Sequence, residues 1–184
     1  MTKTELQNLV IDYASSFGID PQIALAQISQ ESGFNPNARG GSGERGLGQF
    51  MPGTWARFGN GSFDNAFDPN SNLQAWGQYM TFLLNLFGWD YEKALIGYNG
   101  GEGHLTNPGK HGPPSSRARS YAKMVLAAAG RQNVANYSPD YSLDYSSDLT
   151  IADNPEDETS ILGLSLTTAL LLAGGLLAVL ALRK

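Results

Sequence analysis

The sequence predicts a mainly α protein. Three observations carry this. Apolar residues recur at helical spacing through the first 131 positions. The stretches between those runs are rich in Gly, Asn and Pro. No long run alternates apolar with polar residues, and there is no internal repeat.

The elements follow in order. Leu6, Leu9, Val10, Tyr13, Ala14 and Phe17 form one helical stripe, ended by Gly18. Asp20-Pro21 supplies an N-cap and a proline at the first helical position, so a second helix opens there. It carries Ile23, Ala24, Ala26 and Ile28 and ends near Ser32-Gly33. A third runs from about Asn70 to Phe87, with Leu73, Trp76, Met80, Leu84 and Phe87 on one side. Asp90 caps a shorter one reaching Tyr98. Ser115 or Ser116 opens the last, with Ala118, Tyr121, Ala122, Val125 and Ala129 as its stripe and Gly130 past its end. The connections are 33–45, 59–69 and 99–114.

The chain has 184 residues and divides by composition. Residues 1–131 hold ten basic and ten acidic residues, a neutral body that argues against a nucleic-acid partner. Residues 132–160 hold seven acids and no base, with Ser, Asn and Pro. They read as a disordered acidic linker. The other reading is a strap in which Tyr137, Tyr141 and Tyr145 dock on a partner. Residues 161–182 are 22 positions without a charge, roughly 33 Å long as a helix. That matches a bilayer core of about 30 Å, so one C-terminal transmembrane helix is expected, followed by the basic tail 183–184. The amino terminus does not read as a signal peptide. There is no cysteine, which excludes disulfides and thiolate-bound metals. His104 and His111 flank a Gly/Pro loop without an acid at ligand spacing, so no metal and no cofactor are expected. Trp55, Trp76 and Trp89 are expected in the core, with Trp89, beside Asp90 in a loop, the best candidate for an exception.

Glu31 is the candidate catalytic residue. It lies at the C-terminal end of the second helix, the negative pole of the helix dipole, where ionisation is disfavoured. Apolar neighbours would desolvate it. Both effects raise a carboxyl toward the range where it donates a proton at neutral pH. Taken alone, a helix-end glutamate is more often solvated. Its company is specific: Glu31-Ser32-Gly33-Phe34, then Gly46-Leu47-Gly48-Gln49-Phe50-Met51-Pro52, then Tyr98-Asn99-Gly100-Gly101, read as two glycine-framed turns after the glutamate.

These three motifs, in this order, resemble the soluble lytic transglycosylases, lysozyme-like enzymes that cut peptidoglycan. The resemblance covers about residues 25–125. It implies a lysozyme-like fold over 1–131. It implies that Glu31 is the sole general acid and base at the bond between N-acetylmuramic acid and N-acetylglucosamine. The substrate's own N-acetyl carbonyl would stabilise the sugar cation, and a 1,6-anhydro end would form. Gln49 and Met51 would line the groove. Tyr98 would bond near the scissile sugar or to Glu31, and Asn99 would shape its turn. Tyr121, in Arg119-Ser120-Tyr121, would help hold Glu31 or the N-acetyl group. The sequence departs from the family at three places. Gly40 stands where a serine is frequent, with Ser42 a possible substitute; Arg117 stands where an acid is frequent; Glu44 stands where a small residue is usual. Glu44 is either a solvated loop charge or a second carboxylate that activates water, which would make the protein a hydrolytic muramidase.

The expected partners are peptidoglycan strands and a lipid bilayer. A tail anchor without a visible leader suggests a virion with an internal membrane, where other virion membrane proteins would be neighbours, the alternative being the bacterial cell membrane. A non-catalytic peptidoglycan-binding module and a structural membrane protein are the competing readings.

Overall fold

The computed structural model describes residues 1–131. The expected linker, transmembrane helix and basic tail (132–160, 161–182, 183–184) lie outside the described residues. Among the described residues, no helix is long and apolar enough to cross a membrane.

The body is helical, as its periodicity requires. Helix α1 spans Lys3–Ser16 and opens on a capping box, in which Thr2 and Glu5 each bond the other's backbone N–H. Helix α2, Pro21–Ser32, starts at Asp20, whose carboxylate accepts from the Gln22 N–H at 2.8 Å. It ends on Gly33 in the left-handed region (φ 60°). Helix α3 is Pro52–Phe58, α4 is Pro69–Leu86 and α5 is Tyr91–Gly100. Two four-residue helical turns, α6 (Gly103–Thr106) and α7 (Pro108–His111), lead to α8, Ser116–Ala128.

Three features differ from the sequence reading. Helix α3 was not expected, because seven residues are too few to show a period. Its proline at the first helical position is the one signal it gives. The connection 59–69 contains a 3-10 turn, Phe63–Phe67, and the connection 99–114 contains α6 and α7. Of Tyr98-Asn99-Gly100-Gly101, expected as a turn, the first three close α5 and Gly101 follows as its C-cap at φ 90°. Gly101 makes the turn, whereas Gly97 and Gly100 serve packing. A Cβ on Gly97 would sit 3.2 Å from both Leu83 and Phe87, and one on Gly100 would sit 2.9 Å from the Ala118 Cβ. Gly100 lets α5 lie this close to α8, and at Gly97 a larger residue would push Leu83 and Phe87 aside.

Helix α4 is the centre of the core. Leu73, Trp76, Met80, Leu83 and Leu84 on it are fully buried. Helices α1, α3 and α5 pack against it, and α8 packs on α5 and α2. Burying each such side chain contributes roughly 1.5–3 kcal/mol. A Cβ on Gly77 would fall 2.2 Å from the Phe17 ring, so this glycine admits α1. The end of α8 is tied back by Arg131, whose guanidinium donates to the buried Asp20 carboxylate at 2.8 Å. The result fixes the C-terminal ends of α2 and α5 and the start of α8 around one depression.

Candidate active site

Two unlike walls form the depression, a cleft of about 550 Å³. One wall is helical and carries Glu31 from α2, Tyr98 and Asn99 from α5, and Tyr121 from α8. The other is the loop 38–51, which carries Glu44, Gln49 and Met51.

Glu31 lies in the last turn of α2, half-buried at the edge of the cleft. Burial pushes its carboxyl up to about 7, and the negative Glu44 adds to the rise. The Tyr121 hydroxyl and the Arg117 guanidinium oppose it. Desolvation, one of the two causes expected from the sequence, is thus the leading one. Tyr121 is buried on α8, and its hydroxyl donates to Glu31 Oε1 at 2.5 Å. A carboxyl balanced near neutrality can give a proton and later take one back, the property a general acid–base group needs.

Tyr98 stands beside Glu31, but its hydroxyl donates to the Gly48 carbonyl at 2.7 Å rather than to the carboxylate. It braces the loop wall. Asn99 lines the cleft from within α5, so it does not shape a turn. Met51, the residue before α3, is exposed at the cleft.

The loop wall is built from backbone bonds. Arg45 and Phe50 exchange both N–H···O bonds at 3.0 Å, closing a small hairpin over Gly46–Gln49. Gly46 has φ 75°, and a Cβ there would strike the Ala66 carbonyl at 1.9 Å, so the turn demands glycine. Gln49 is held at φ 49°, an uncommon conformation for a residue with a side chain. Its amide donates to the Gly46 carbonyl at 2.9 Å, which fixes the side chain at the cleft edge.

Asn72, buried on α4, pins the hairpin to the core. Its Oδ1 accepts from the Gly48 N–H at 2.8 Å, and its Nδ2 donates to the Ala66 carbonyl at 2.7 Å. On the outer side the Arg45 guanidinium lies over the Phe63 ring at 4.2 Å and pairs with Asp64 at 2.7 Å.

Glu44 faces the cleft, and its Oε2 accepts from the Ser42 N–H at 2.9 Å. A Cβ on Gly40 would sit 2.2 Å from the same oxygen. Gly40 and Glu44 therefore form one exchange: the missing side chain at 40 is the room the carboxylate at 44 occupies. Ser42 contributes its backbone here and does not line the cleft.

Several cleft residues escaped the sequence reading. Ser120 and Met124 flank Tyr121, and helical spacing from Tyr121 would have found Met124. Gln30, next to Glu31, also lines the cleft. Trp55 and Trp76 are buried, and Trp89 is half-buried away from the cleft lining. His104 and His111 stack edge-on with ring centres 6.1 Å apart. Among the described residues no group of three or more His, Asp or Glu is placed to hold a metal.

Known proteins are similar to this chain in sequence and in fold. The Soluble lytic murein transglycosylase of Escherichia coli (strain K12) is 29% identical over 134 residues, covering 62% of this chain and 21% of that protein. The Membrane-bound lytic murein transglycosylase C of Yersinia enterocolitica is 32% identical over 112 residues, 53% of this chain and 31% of the relative. The Peptidoglycan transglycosylase gp16 of Escherichia phage T7 is 31% identical over 127 residues, 63% of this chain and 10% of the relative. The chain thus spans only a fraction of these relatives. Among solved structures, the 70-kDa soluble lytic transglycosylase of Escherichia coli matches with a TM-score of 0.58 and 29% identity, over 66% of this chain and 23% of that one. An inactive glutamate-to-glutamine mutant of lytic transglycosylase Slt from Pseudomonas aeruginosa matches with a TM-score of 0.56 and 26% identity, over 65% of this chain and 22% of that one. The family model described as Transglycosylase SLT domain matches residues 8–118, more than half of the sequence, and the chain belongs to that family.

Proposed function

We propose that the protein is a peptidoglycan lytic transglycosylase in which Glu31 is the acid and then the base. The observation that carries this reading is the half-buried Glu31 carboxyl, raised to about 7 and open to the cleft. A glutamate-to-glutamine change names the inactive form of one structural relative, which supports the same role here.

The chemistry balances within substrate and Glu31. Neutral Glu31 protonates the glycosidic oxygen, and the bond from the N-acetylmuramic acid C1 to that oxygen breaks. The substrate's N-acetyl carbonyl oxygen closes on C1 and carries the developing positive charge. Glu31, now a carboxylate, takes the proton of the sugar's 6-hydroxyl. The 6-oxygen then forms its bond to C1 as the acetyl oxygen leaves. The product ends in 1,6-anhydro-N-acetylmuramic acid, and Glu31 is again protonated. Gln49, Met51 and Asn99 would hold the strand along the groove. Tyr121 would orient the acid, and Tyr98 would act through the loop it braces.

A second reading has a specific observation behind it. Glu44 shares the cleft with Glu31 and is held by the Ser42 N–H. In that reading it takes a proton from water, whose oxygen attacks C1, and the product is a reducing end.

Mass spectrometry of fragments from purified peptidoglycan separates the readings. Anhydro ends that vanish in Glu31→Gln support the transglycosylase. Reducing ends that vanish in Glu44→Gln favour hydrolysis. No cleavage by folded protein would leave a binding module and overturn both.

We further propose that residues 161–182 anchor the enzyme in a bilayer, with 132–160 as tether. The uncharged run supports this, as does a membrane-bound relative. The phage relative supports a phage setting. With the uncharged run 161–182, that setting would place the enzyme in a virion's internal membrane, beside other virion membrane proteins, for wall digestion during entry. Flotation with liposomes that is equal for the full chain and for one lacking 161–184 would overturn the anchor. Absence of the protein from purified virions would overturn the placement.

A further inference from the structure

We infer that Gln27 is a positioning residue for the Glu31 acid: held between Trp76 and Tyr121, its amide fixes the direction in which the Tyr121 hydroxyl donates. The inference rests on the acid role of Glu31 proposed above.

Gln27 lies one helical turn before Glu31 on α2 and is fully buried. The Trp76 indole N–H donates to its Oε1 at 3.1 Å. An indole nitrogen can only donate, so it decides which end of the amide is oxygen. Nε2 must then point the other way. It is buried there with no hydrogen-bond partner of its own, and Gln27 acts on the Tyr121 hydroxyl from the donor side, favouring its oxygen as an acceptor. A buried amide N–H without an acceptor is costly, and a tyrosine oxygen lone pair turned toward it relieves that cost. A phenol has one proton. With its lone pair toward Gln27, the Tyr121 hydroxyl sends that proton to Glu31 Oε1, where the 2.5 Å bond is found.

The consequence falls on the acid. Oε1 is an acceptor, so the proton of neutral Glu31 sits on Oε2. Among the described residues Oε2 has no protein partner, and it is the oxygen left for the substrate. Without Gln27 the hydroxyl is free to turn and accept from Glu31. The acidic proton can then sit on Oε1, facing Tyr121 and away from the sugar. Gln27 therefore selects the productive form of the acid without touching substrate. The charged neighbours that set the Glu31 pKa, Glu44 and Arg117, come from other elements and stay constant through the test.

The test uses the full chain with Gln27→Met, which keeps length and loses the N–H. Gln27→Glu keeps an acceptor for Trp76 but offers Tyr121 a competing carboxylate. Two quantities are read: the pH profile of kcat on soluble glycan, and the Glu31 carboxyl titration by carbon NMR. In Gln27→Met, kcat falls roughly tenfold, part of the ~10²–10⁴ that a general acid supplies. KM is unchanged. The Glu31 titration moves to higher pH, and further in Gln27→Glu, because donation from Tyr121 favours the anion. In a Tyr121→Phe background, Gln27→Met adds no further loss. Wild-type kcat and titration in folded Gln27 variants would overturn the inference. So would an additive loss in the Tyr121→Phe background, which marks a packing role. If the wild type proves inactive, the NMR order wild type, Met, Glu still tests the Gln27 linkage. Should Gln27→Met fail to fold, Gln27→Glu alone must raise the titration, and an unmoved value overturns the inference.

Discussion

The two walls of the cleft are held by different forces. The helical wall stands on side-chain packing: Glu31 and Tyr121 rise from α2 and α8, which pack on each other and, through α1 and α5, on the α4 core. The loop wall has little core of its own beyond Leu47 and Phe50. It is held by a hairpin, by Asn72 beneath it, by Arg45 outside it and by Tyr98 across from it. The difference assigns the work. A proton-transfer group needs a fixed environment that keeps its pKa raised, and a packed helix end supplies one. A strand-holding surface needs backbone groups near the ligand, and a glycine-cut loop supplies those.

Glu31→Gln breaks the helical wall's chemistry and leaves its packing. Turnover should fall by at least ~10²-fold. Stability should move the other way, with a sign fixed by linkage. The folded carboxyl titrates near 7 rather than at 4.5, so the folded protein binds more protons than the unfolded chain between those values. Wild-type stability therefore falls as pH rises through that window, and glutamine removes the loss. Above pH 7 the variant should be more stable by up to about 3 kcal/mol, and at pH 4 by almost nothing. Denaturant unfolding at pH 4, 6 and 8 checks this; a pH-independent difference would mean Glu31 is not raised.

Asn72→Ala is the matching break of the loop wall. It leaves the Gly48 N–H and the Ala66 carbonyl buried without their partner. Losing a buried, fully bonded amide should cost about 2–4 kcal/mol. KM should rise more than kcat falls, because the acid is untouched. A variant with normal KM would show that the loop holds its shape by the hairpin alone.

How much of this was readable in the sequence follows the same division. Helices α1, α2, α4, α5 and α8 were legible because each buries a periodic stripe long enough to count. Glu31 was legible only through its company, since one charged helix-end residue has no period. Asn72 and Gln27 were not legible: a pattern counts them as polar and therefore outward, whereas both are fully buried and bonded to distant groups. Gly100 misled for a related reason. Local propensity reads it as a turn, yet it closes α5, where its missing Cβ admits Ala118 of α8. The Tyr98 hydroxyl was expected at the sugar or at Glu31, but Gly48 lies fifty residues away in sequence and gave no local sign.

Tyr98→Phe sharpens the comparison at the point where the walls meet. It removes one bond to the Gly48 carbonyl and keeps the ring, which lies 5.0 Å from that of Tyr79. The expected stability loss is about 1 kcal/mol, with KM raised and the pH profile unmoved. A loss in kcat with a shifted profile would instead place the hydroxyl on Glu31.

The smallest effects cross the cleft. Glu44 on the loop wall raises the Glu31 pKa by like charge, and Arg117 at the start of α8 lowers it. Glu44→Gln should therefore move the alkaline limb of kcat/KM to lower pH, and Arg117→Gln should move it to higher pH. At pH 7 each change is worth about twofold in the protonated fraction, in opposite directions. Both should shrink with added salt, since these charges act across solvent. Equal shifts of one sign would mean that the variants act by disturbing the loop. A Glu44→Gln enzyme that loses far more than twofold, together with its reducing-end products, would move Glu44 from a neighbour that tunes the acid to a base that activates water.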